Sequence, residues 1–491
     1  MPRATAGHSE PKQSYWTKVN PKGRWQVWEG WGVSLSWWAN AFGSDPKADD
    51  LADIMFTRKN VKYDGKTVPG LDANIVRYNA GGCGEGMRDS PEMPEYKQIE
   101  GFETARNAWD WSKDADQRKM LRMAKDRGAG KFDLFSCSPM WWMLQDRDTT
   151  GADNGRPNPN LVQDGVHQHA AYLAEIVRHA RERWGVAFES VEPFNEPTSG
   201  FWKPNGGQEG RGFDAATQRK VLTALRQELD NRGLKSTTMA ASDENTYAAA
   251  VKTWKALDGM HRYIGRATAH GYNPGKGGVL AQYPSARHKQ DKRSLDRIVG
   301  GPIWTTEYGD HDSSGMMMAA NINADIRHAR VRAWAYWQPV DGRAGKNEEQ
   351  HWGFIDADYS RKPKLGGIDH PRLFVFAQYS RHIRPGMQII DPGKDENTVV
   401  AYDASRRKLV IVTASWAPQG QYIGYDLSKF TRVAGDNGVG RRWATTDTGN
   451  ANGGERYQYH ASDTILRNGQ RFWAWFPPNS VQTFEIDNVT L

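Results

Sequence analysis

Two glutamates, Glu196 and Glu307, each stand at the end of a short apolar run. Glu196 follows Asn195 in VEPFNEP (191–197), and Glu307 closes PIWTTE (302–307). If both runs are strands, each carboxylate emerges where its strand ends. Two facing carboxylates can break a glycosidic bond, because one protonates the leaving oxygen while the other attacks the anomeric carbon or activates water. The pair therefore predicts carbohydrate hydrolysis, provided that the fold brings the two together.

Five further residues stand at the ends of apolar runs and can complete such a site. A nearby arginine would hold the attacking carboxylate ionised, an amide can bind a sugar hydroxyl, and a tyrosine can orient the nucleophile. Taken singly, each is more often structural, as an ion-pair partner, a core histidine or a buried ring. Their shared position favours a site. In that site we expect an apolar wall to raise the pKa of Glu196 and the arginine to lie near Glu307. These residues are Arg77, Asn195, His270, Tyr272 and Trp337.

The chain contains 21 tryptophans, and a flat indole ring can stack on a sugar ring or fill a core. Most of them we assign to the core, and those near run ends are candidates for stacking. In the first run, strand alternation allows only one of Trp37 and Trp38 to face the site, and we predict Trp37. For the third run we predict Trp142. Trp202, in the loop after Glu196, is a further candidate platform.

The scaffold that must position these residues is predicted from eight runs dense in apolar, small and aromatic residues. Helical patterns separate the runs; one ends at Gly185, and another has Asp214 as its N-cap and Gly233 at its end. This alternation predicts a (β/α)8 TIM barrel, an α/β fold whose sites lie at the carboxyl ends of the strands. A doubly wound sheet is the alternative, but no phosphate-binding glycine motif follows any run. The runs are 28–38, 73–82, 132–142, 188–197, 236–245, 266–274, 302–310 and 331–340.

The hydrophobic pattern of the sequence changes after the run RLFVFAQYSRHIRPG (372–386). Short alternating runs separated by turn residues replace the helical period, which predicts a C-terminal antiparallel β-sandwich. We predict a catalytic barrel over 28–385 and a closely packed β-sandwich over 386–491. Residues 1–27 form an N-terminal segment that can add a strand to the sandwich.

Composition excludes several other classes of protein. The formal charge is +7 over 491 residues, and Lys and Arg are spread along the chain, so we expect no nucleic-acid partner. No stretch of 18 apolar residues exists, so we expect no membrane span. The N-terminus MPRATAGHSEPKQ has no apolar segment, and its ATA is similar to processing sites, which favours the mature end of a secreted protein.

The two cysteines, Cys83 and Cys137, do not make a disulfide framework. They either form one bridge or remain buried thiols, and we favour the thiols. Neither lies in a metal-binding spacing, and a pair of carboxylates needs no metal for glycoside hydrolysis. We therefore expect no metal and no organic cofactor.

The motifs together resemble a known family. PFNEP and TTEYGD resemble the clan A glycoside hydrolases, and WEGWGVSLSWWANAF, NIVRYNAGG and FAQYSRHIRPG resemble glycoside hydrolase family 30 from about residue 15 to the end. The resemblance implies a retaining mechanism with Glu196 as general acid/base and Glu307 as nucleophile. His270 stands two residues before Tyr272, so both should face inward. The positions that match the family's binding of the sugar and the nucleophile are Arg77, Asn195, Tyr272 and Trp337.

Within the family, SLSWWANAFG and NEPTSGFWKPNGGQEG most resemble the endo-β-1,6-galactanase branch. This implies that a monomeric enzyme cleaves β-1,6-galactan side chains of arabinogalactan, a polysaccharide. The alternatives are the same mechanism on β-1,6-glucan or glucuronoxylan, or a carbohydrate-binding protein without catalysis. Both carboxylates and Arg77 are present, which argues against the non-catalytic alternative.

Overall fold

The structure is a computed structural model of the chain. Residues 1–11 and 13, which include the ATA segment, lie outside the described residues. Within the described part of the chain, no helix combines the length and apolarity that a membrane crossing requires. The structure describes residues 12, 14–152, 157–274, 282–343, 352–360, 362–433, 440–446, 460–462, 467–468 and 470–491.

Eight parallel strands form a closed barrel, in which strands pair in chain order and the eighth pairs with the first. The predicted barrel is confirmed, and each strand falls within one of the eight sequence runs to within one residue. Nearly every strand residue is buried, as parallel strands covered on both faces require. The strands are Gly30–Ser34, Ile75–Asn79, Lys131–Phe135, Phe188–Glu192, Thr238–Glu244, Arg266–His270, Ile303–Glu307 and Ala333–Tyr336.

Helices follow the strands, and their ends lie where the sequence signals place them. The Asp214 side chain accepts a hydrogen bond from Thr217 N at 2.8 Å, which caps one helix. Gly185 has φ +64° and ends another, after a π-helical turn over Ala180–Trp184. The helices are Ser36–Phe42, Ala48–Phe56, Ala115–Asp126, Gly165–His179, Ala215–Asn231, Tyr247–Ala256, Ala286–Val299, Met316–Ala324 and Arg372–Ser380.

The chain divides into two compact units, and the barrel occupies Glu29–Ser313 with Ala324–Asp369. The other unit holds Met1–Trp28, Ser314–Asn323 and His370–Leu491. The helix Arg372–Ser380 therefore groups with the C-terminal strands, although the sequence interpretation gave the barrel residues as far as 385. Every residue of this helix is buried, and Gln378 Nε2 donates a hydrogen bond to Thr445 Oγ1 at 3.0 Å.

The C-terminal unit contains two sheets that share one apolar core. The N-terminal segment supplies a strand to each: Tyr15–Lys18 pairs parallel with Gln421–Asp426, and Asn20–Val27 pairs antiparallel with Gln388–Asp391. Side chains such as Phe472, from the four-stranded sheet, belong to this core. The remaining strands of the two sheets are Thr398–Asp403, Lys408–Ser415, Gly440–Thr446, His460–Ser462, Arg467–Asn468, Arg471–Phe476 and Ser480–Ile486.

Short elements decorate the barrel unit, and both of its cysteines are buried. Cys83 and Cys137 are free, which confirms the preference for thiols over a bridge. The short strands are Asn60–Tyr63, Lys66–Pro69, Glu103–Ala105, Ala108–Trp109, Val340–Arg343, Ile355–Asp358 and Lys364–Leu365. The short 3-10 turns are Glu95–Lys97, Trp141–Met143 and His261–Tyr263.

Candidate active site

Glu307 is the last residue of the seventh barrel strand, and Glu196 lies in the loop that follows the fourth. The backbone of Glu196 is left-handed, with φ +48°, which is uncommon for a residue with a side chain. Two hydrogen bonds hold it there: Glu196 N donates to Asp243 O at 2.8 Å, and Trp202 Nε1 donates to Glu196 O at 2.9 Å. The strained backbone is thus fixed on both sides of the carboxylate.

The two carboxylates face each other closely. Each glutamate is only 5% exposed, and carboxylate oxygens of Glu196 and Glu307 lie within 4.8 Å of each other. Retaining glycosidases place their carboxyl groups about 5–5.5 Å apart, whereas inverting enzymes need about 6.5–9.5 Å to admit a water between them. An oxygen-to-oxygen distance of at most 4.8 Å is compatible with the closer, retaining arrangement and places both groups within reach of one glycosidic bond.

Arg77, in the middle of the second barrel strand, is fully buried beneath the pair. Its Nη2 lies 2.8 Å from Asp243 Oδ2 and 3.0 Å from Glu192 Oε2, while Asp133 and Glu307 are each 3.5 Å from the guanidinium. Burial alone would lower the pKa of Arg77, but these four carboxylates raise it above its usual range. Arg77 is therefore the shared cation of a buried acidic cluster.

The pKa of Glu307 depends on burial and on three charged neighbours. Burial raises the pKa of Glu307 to about 7; His270 and Arg77 act to lower it, and the charge of Glu196 raises it. Arg77 thus acts in the expected direction, by lowering the pKa of Glu307, although burial has the larger effect. The guanidinium lies closer to Asp243, at 2.8 Å, than to Glu307, at 3.5 Å.

His270 lies between the two glutamates. Its Nδ1 is 2.8 Å from Glu196 Oε1 and 3.3 Å from Glu307 Oε1, and its Nε2 is 3.3 Å from Asp243 Oδ1. Burial would lower the pKa of His270, but Glu307 and Asp243 raise it well above its usual value. Two residues further on, Tyr272 OH donates to Glu307 Oε1 at 2.8 Å. The structure thus brings His270 and Tyr272 together around the carboxylates.

The same three side chains offer atoms of the kind that ligate metals, since Glu196, His270 and Glu307 lie within 4.8 Å of one another. The 2.8 Å between His270 Nδ1 and Glu196 Oε1 is a hydrogen-bond distance that leaves no space for an ion between them. An imidazole within 3.3 Å of both carboxylates forms a compact cluster of titratable groups. We therefore interpret the group as hydrogen-bonded and not as a metal centre.

A cavity of about 800 Å³ opens above the carboxylates. Arg77 and His270 are completely buried and support its floor from below. Asn195 also lines the cavity, and its Oδ1 has no hydrogen-bond partner among the described residues, so it is available to a ligand. The sequence-predicted residues that line the cavity are Trp37, Asn195, Glu196, Trp202, Tyr272, Glu307 and Trp337.

Trp37 lines the cavity, although the reason given for choosing it is wrong. Residues 36–42 form a helix, so strand alternation does not apply to Trp37 and Trp38. The Trp37 ring packs edge-on against Trp337 with centroids 5.2 Å apart, and Lys97 Nζ lies 4.1 Å from the Trp37 centroid. Trp38 is fully buried, and its Nε1 donates to Ser34 O at 2.7 Å.

Trp142 does not line the cavity, so its assignment as a substrate platform needs correction. The third strand ends at Phe135, and Trp142 lies seven residues later in a 3-10 turn. Its Nε1 donates to Glu103 O at 2.6 Å, and this hydrogen bond holds the ring against the short strand Glu103–Ala105. The period of the strand does not extend through the intervening loop, so it could not predict the direction of the ring.

Several residues of the site escaped sequence reasoning. Asn245 Nδ2 donates to Glu196 Oε1 at 2.6 Å, and Asp243 contacts both Arg77 and His270. Both belong to the polar SDEN end of the fifth run, a signal of the same kind as the NEP of the fourth. Trp352 packs on Tyr272 with centroids 5.8 Å apart, and no strand-end signal marked it. The other cavity residues not predicted include Tyr96, Lys97, Phe201, His311 and Asp341.

A closed α/β barrel with two buried carboxylates at strand ends and an aromatic cleft above them defines a glycoside hydrolase. Residues 15–270 match the family model described as O-glycosyl hydrolase family 30. The chain belongs to this family.

Relatives span most of the chain. An endo-beta-1,6-galactanase of Hypocrea rufa is 42% identical over 488 residues, covering 96% of this chain and 95% of the relative. An exo-beta-1,6-galactobiohydrolase of Bifidobacterium longum subsp. longum is 24% identical over 553 residues, covering 86% of this chain and 35% of the relative. The catalytic domain of GH30 xylanase C from Talaromyces cellulolyticus shares the fold, with a TM-score of 0.64 at 19% identity, and covers 96% of this chain and 99% of its own.

Proposed function

We propose that this enzyme is a retaining endo-glycosidase that cleaves β-1,6-linked galactan, with Glu196 as general acid/base and Glu307 as nucleophile. The observation that carries the mechanism is the pair of carboxylate oxygens within 4.8 Å of each other. The substrate is suggested by the Hypocrea rufa relative, which is similar over nearly the full length of both chains.

In the first step, Glu307 attacks the anomeric carbon while the bond to the glycosidic oxygen breaks. Glu196 gives its proton to that oxygen, so the leaving sugar departs as an alcohol and a covalent glycosyl-enzyme remains. In the second step, Glu196 removes a proton from water as the water oxygen attacks the anomeric carbon. The bond to Glu307 breaks, and both glutamates return to their starting states.

The neighbouring side chains support these steps. Arg77 and Tyr272 contact the two oxygens of Glu307, at 3.5 and 2.8 Å, and offset its charge when it ionises. Asn195, whose Oδ1 is unpaired in the cavity, binds a sugar hydroxyl beside the reacting bond. Trp37 and Trp337, which pack edge to face, form the aromatic wall of the cleft.

The biological setting follows from the substrate. Galactan chains of arabinogalactan are extracellular polymers, so we propose that the protein acts after secretion, as a monomer. The two-carboxylate mechanism requires no metal and no organic cofactor.

The test is digestion of de-arabinosylated arabinogalactan beside β-1,6-glucan and glucuronoxylan, with wild type, Glu307→Gln and Glu182→Gln. Glu182 is an exposed helix residue and serves as the matched control. Wild type and Glu182→Gln should release β-1,6-galacto-oligosaccharides of mixed length, and Glu307→Gln should release none. Release of galactobiose alone would indicate exo action, and cleavage of glucan or xylan in place of galactan would overturn the substrate.

A further inference from the structure

Asp243 lies at the end of the fifth barrel strand, behind the acid/base and outside the cavity wall. Its side chain is 1% exposed. Its backbone is left-handed, with φ +57°, and its carbonyl accepts the hydrogen bond from Glu196 N at 2.8 Å. Asp243 therefore holds the catalytic loop through its main chain, which leaves its carboxylate free for another purpose.

The carboxylate of Asp243 faces three polar groups. Its Oδ2 accepts from Arg77 Nη2 at 2.8 Å, and its Oδ1 accepts from Thr306 Oγ1 at 2.5 Å. The same Oδ1 lies 3.3 Å from His270 Nε2. Asp243 thus touches the imidazole on the side opposite to Glu196.

We infer that Asp243 is a positioning residue whose negative charge, 3.3 Å from His270 Nε2, keeps the ring doubly protonated, so that Nδ1 remains the donor to Glu196 Oε1. The inference deepens the proposed function and rests on it, because it assigns to Asp243 a part in orienting the acid/base. Asp243 acts through His270 and does not touch substrate.

The protonation of the His270 ring follows from the charges around it. Burial would raise the pKa of Asp243, but Arg77 and His270 lower it, so the side chain is an anion. His270 Nε2 makes no hydrogen bond within the described residues, so this anion acts on the ring through its charge at 3.3 Å, which favours a proton on both ring nitrogens. The carboxylates of Glu196 and Glu307 act in the same sense, and Tyr272 packs edge-on with centroids 5.7 Å apart. The Arg77 cation, which contacts Asp243 and Glu307 and not the ring itself, acts in the opposite sense.

The consequence concerns which oxygen of Glu196 carries the proton that reaches substrate. Oε1 accepts from His270 Nδ1 at 2.8 Å and from Asn245 Nδ2 at 2.6 Å. With both donors on Oε1, the transferable proton is on Oε2. A neutral His270 held without the Asp243 charge would present a lone pair at Nδ1, and that lone pair would draw the Glu196 proton to Oε1, away from the glycosidic oxygen.

The test compares Asp243→Asn with Asp133→Asn. Asp133 is the matched control, since it is also a buried barrel carboxylate, and its Oδ2 lies 3.5 Å from Arg77. Its other ion pair is with Arg266, whereas that of Asp243 is with His270. We expect Asp243→Asn to shift the alkaline limb of kcat/KM against pH toward lower pH by about one unit, since His270 then loses its proton more readily. Asp133→Asn should leave that limb in place. An equal loss at every pH in both variants would overturn the inference.

A second measurement covers the case in which Asp243→Asn does not fold. Wild type labelled with 15N-histidine should show both ring nitrogens of His270 protonated at pH 7, with the signal identified by its loss in His270→Gln. A neutral ring would overturn the inference, whatever the substrate is. Failure of wild type to cleave any glycan would instead count against the proposed function, so the two failures are distinguishable.

Discussion

Arg77 lies closer to Asp243 than to Glu307, the proposed nucleophile, at 2.8 Å against 3.5 Å. The guanidinium therefore serves first as the counter-ion of a buried acidic cluster and only second as a partner of Glu307. We therefore expect Arg77 to contribute to the stability of the barrel as well as to the proposed site.

Replacing Arg77 by Met should destabilise the barrel by about 3–5 kcal/mol, because it leaves Asp243, Glu192 and Asp133 buried without their cation. Urea unfolding followed by tryptophan fluorescence measures the loss. Arg406→Met is the control, since Arg406 is 67% exposed and its pair with Asp403 should contribute less than about 1 kcal/mol. Equal midpoints for the two variants would contradict the prediction.

Removing the charge of Glu196 should make Glu307 more acidic. Glu196 is one of the groups that raise the pKa of Glu307 to about 7, so Glu196→Gln should lower it. The acidic limb of the glycosylation rate would then move to lower pH. Pre-steady-state release of an aryl leaving group that needs no protonation measures this limb. Glu182→Gln is the control. An unchanged acidic limb in Glu196→Gln would refute the prediction.

Trp37 and Trp142 provide a matched test of the cleft. Trp37 lines the cavity and packs on Trp337, whereas Trp142 donates to Glu103 O away from it. We expect Trp37→Ala to lower kcat/KM on galactan by about tenfold or more, since it removes a stacking surface, and Trp142→Ala to change it by less than about twofold. The reverse order would show that the cleft extends toward the third strand instead.

The C-terminal unit should lose stability in acid through Glu485. Burial alone would raise the pKa of Glu485, but the hydrogen bond from His382 and the ammonium of Lys408 lower it to about 2. An ordinary glutamate in the unfolded chain takes up its proton near pH 4.3, about two units higher. The contribution, on the order of 3 kcal/mol, is therefore complete above about pH 5 and lost as the pH falls toward 2.

Thermal unfolding of wild type and Glu485→Gln at several pH values checks this. The difference in free energy of unfolding between them should be largest near pH 7 and should shrink below pH 5. Asp487→Asn is the control, because Asp487 is 51% exposed and 3.7 Å from Lys408. A difference that stays constant with pH would show that Glu485 contributes through packing alone.

Strand positions and the carboxylate pair were predictable because they depend on local pattern and one general rule. Buried parallel strands are runs of apolar residues, and their carboxyl ends meet on one face of the barrel. Glu196 and Glu307 could thus be placed together from the ends of the fourth and seventh runs. Asn245 stands at the end of the fifth run, so the same rule could have predicted it from the polar residues SDEN.

The sequence by itself determined the barrel, the C-terminal strands and the identity of the facing glutamates. Only the tertiary structure decided what each side chain touches: that Trp37 stands on a helix, that Trp142 points elsewhere, and that Arg77 is shared among four carboxylates. The physical reason is that periodicity acts over a few residues, whereas the contact of Arg77 with Asp243 joins positions 166 residues apart. Such contacts, and the protonation states that depend on them, exist only once the strands have closed into the barrel.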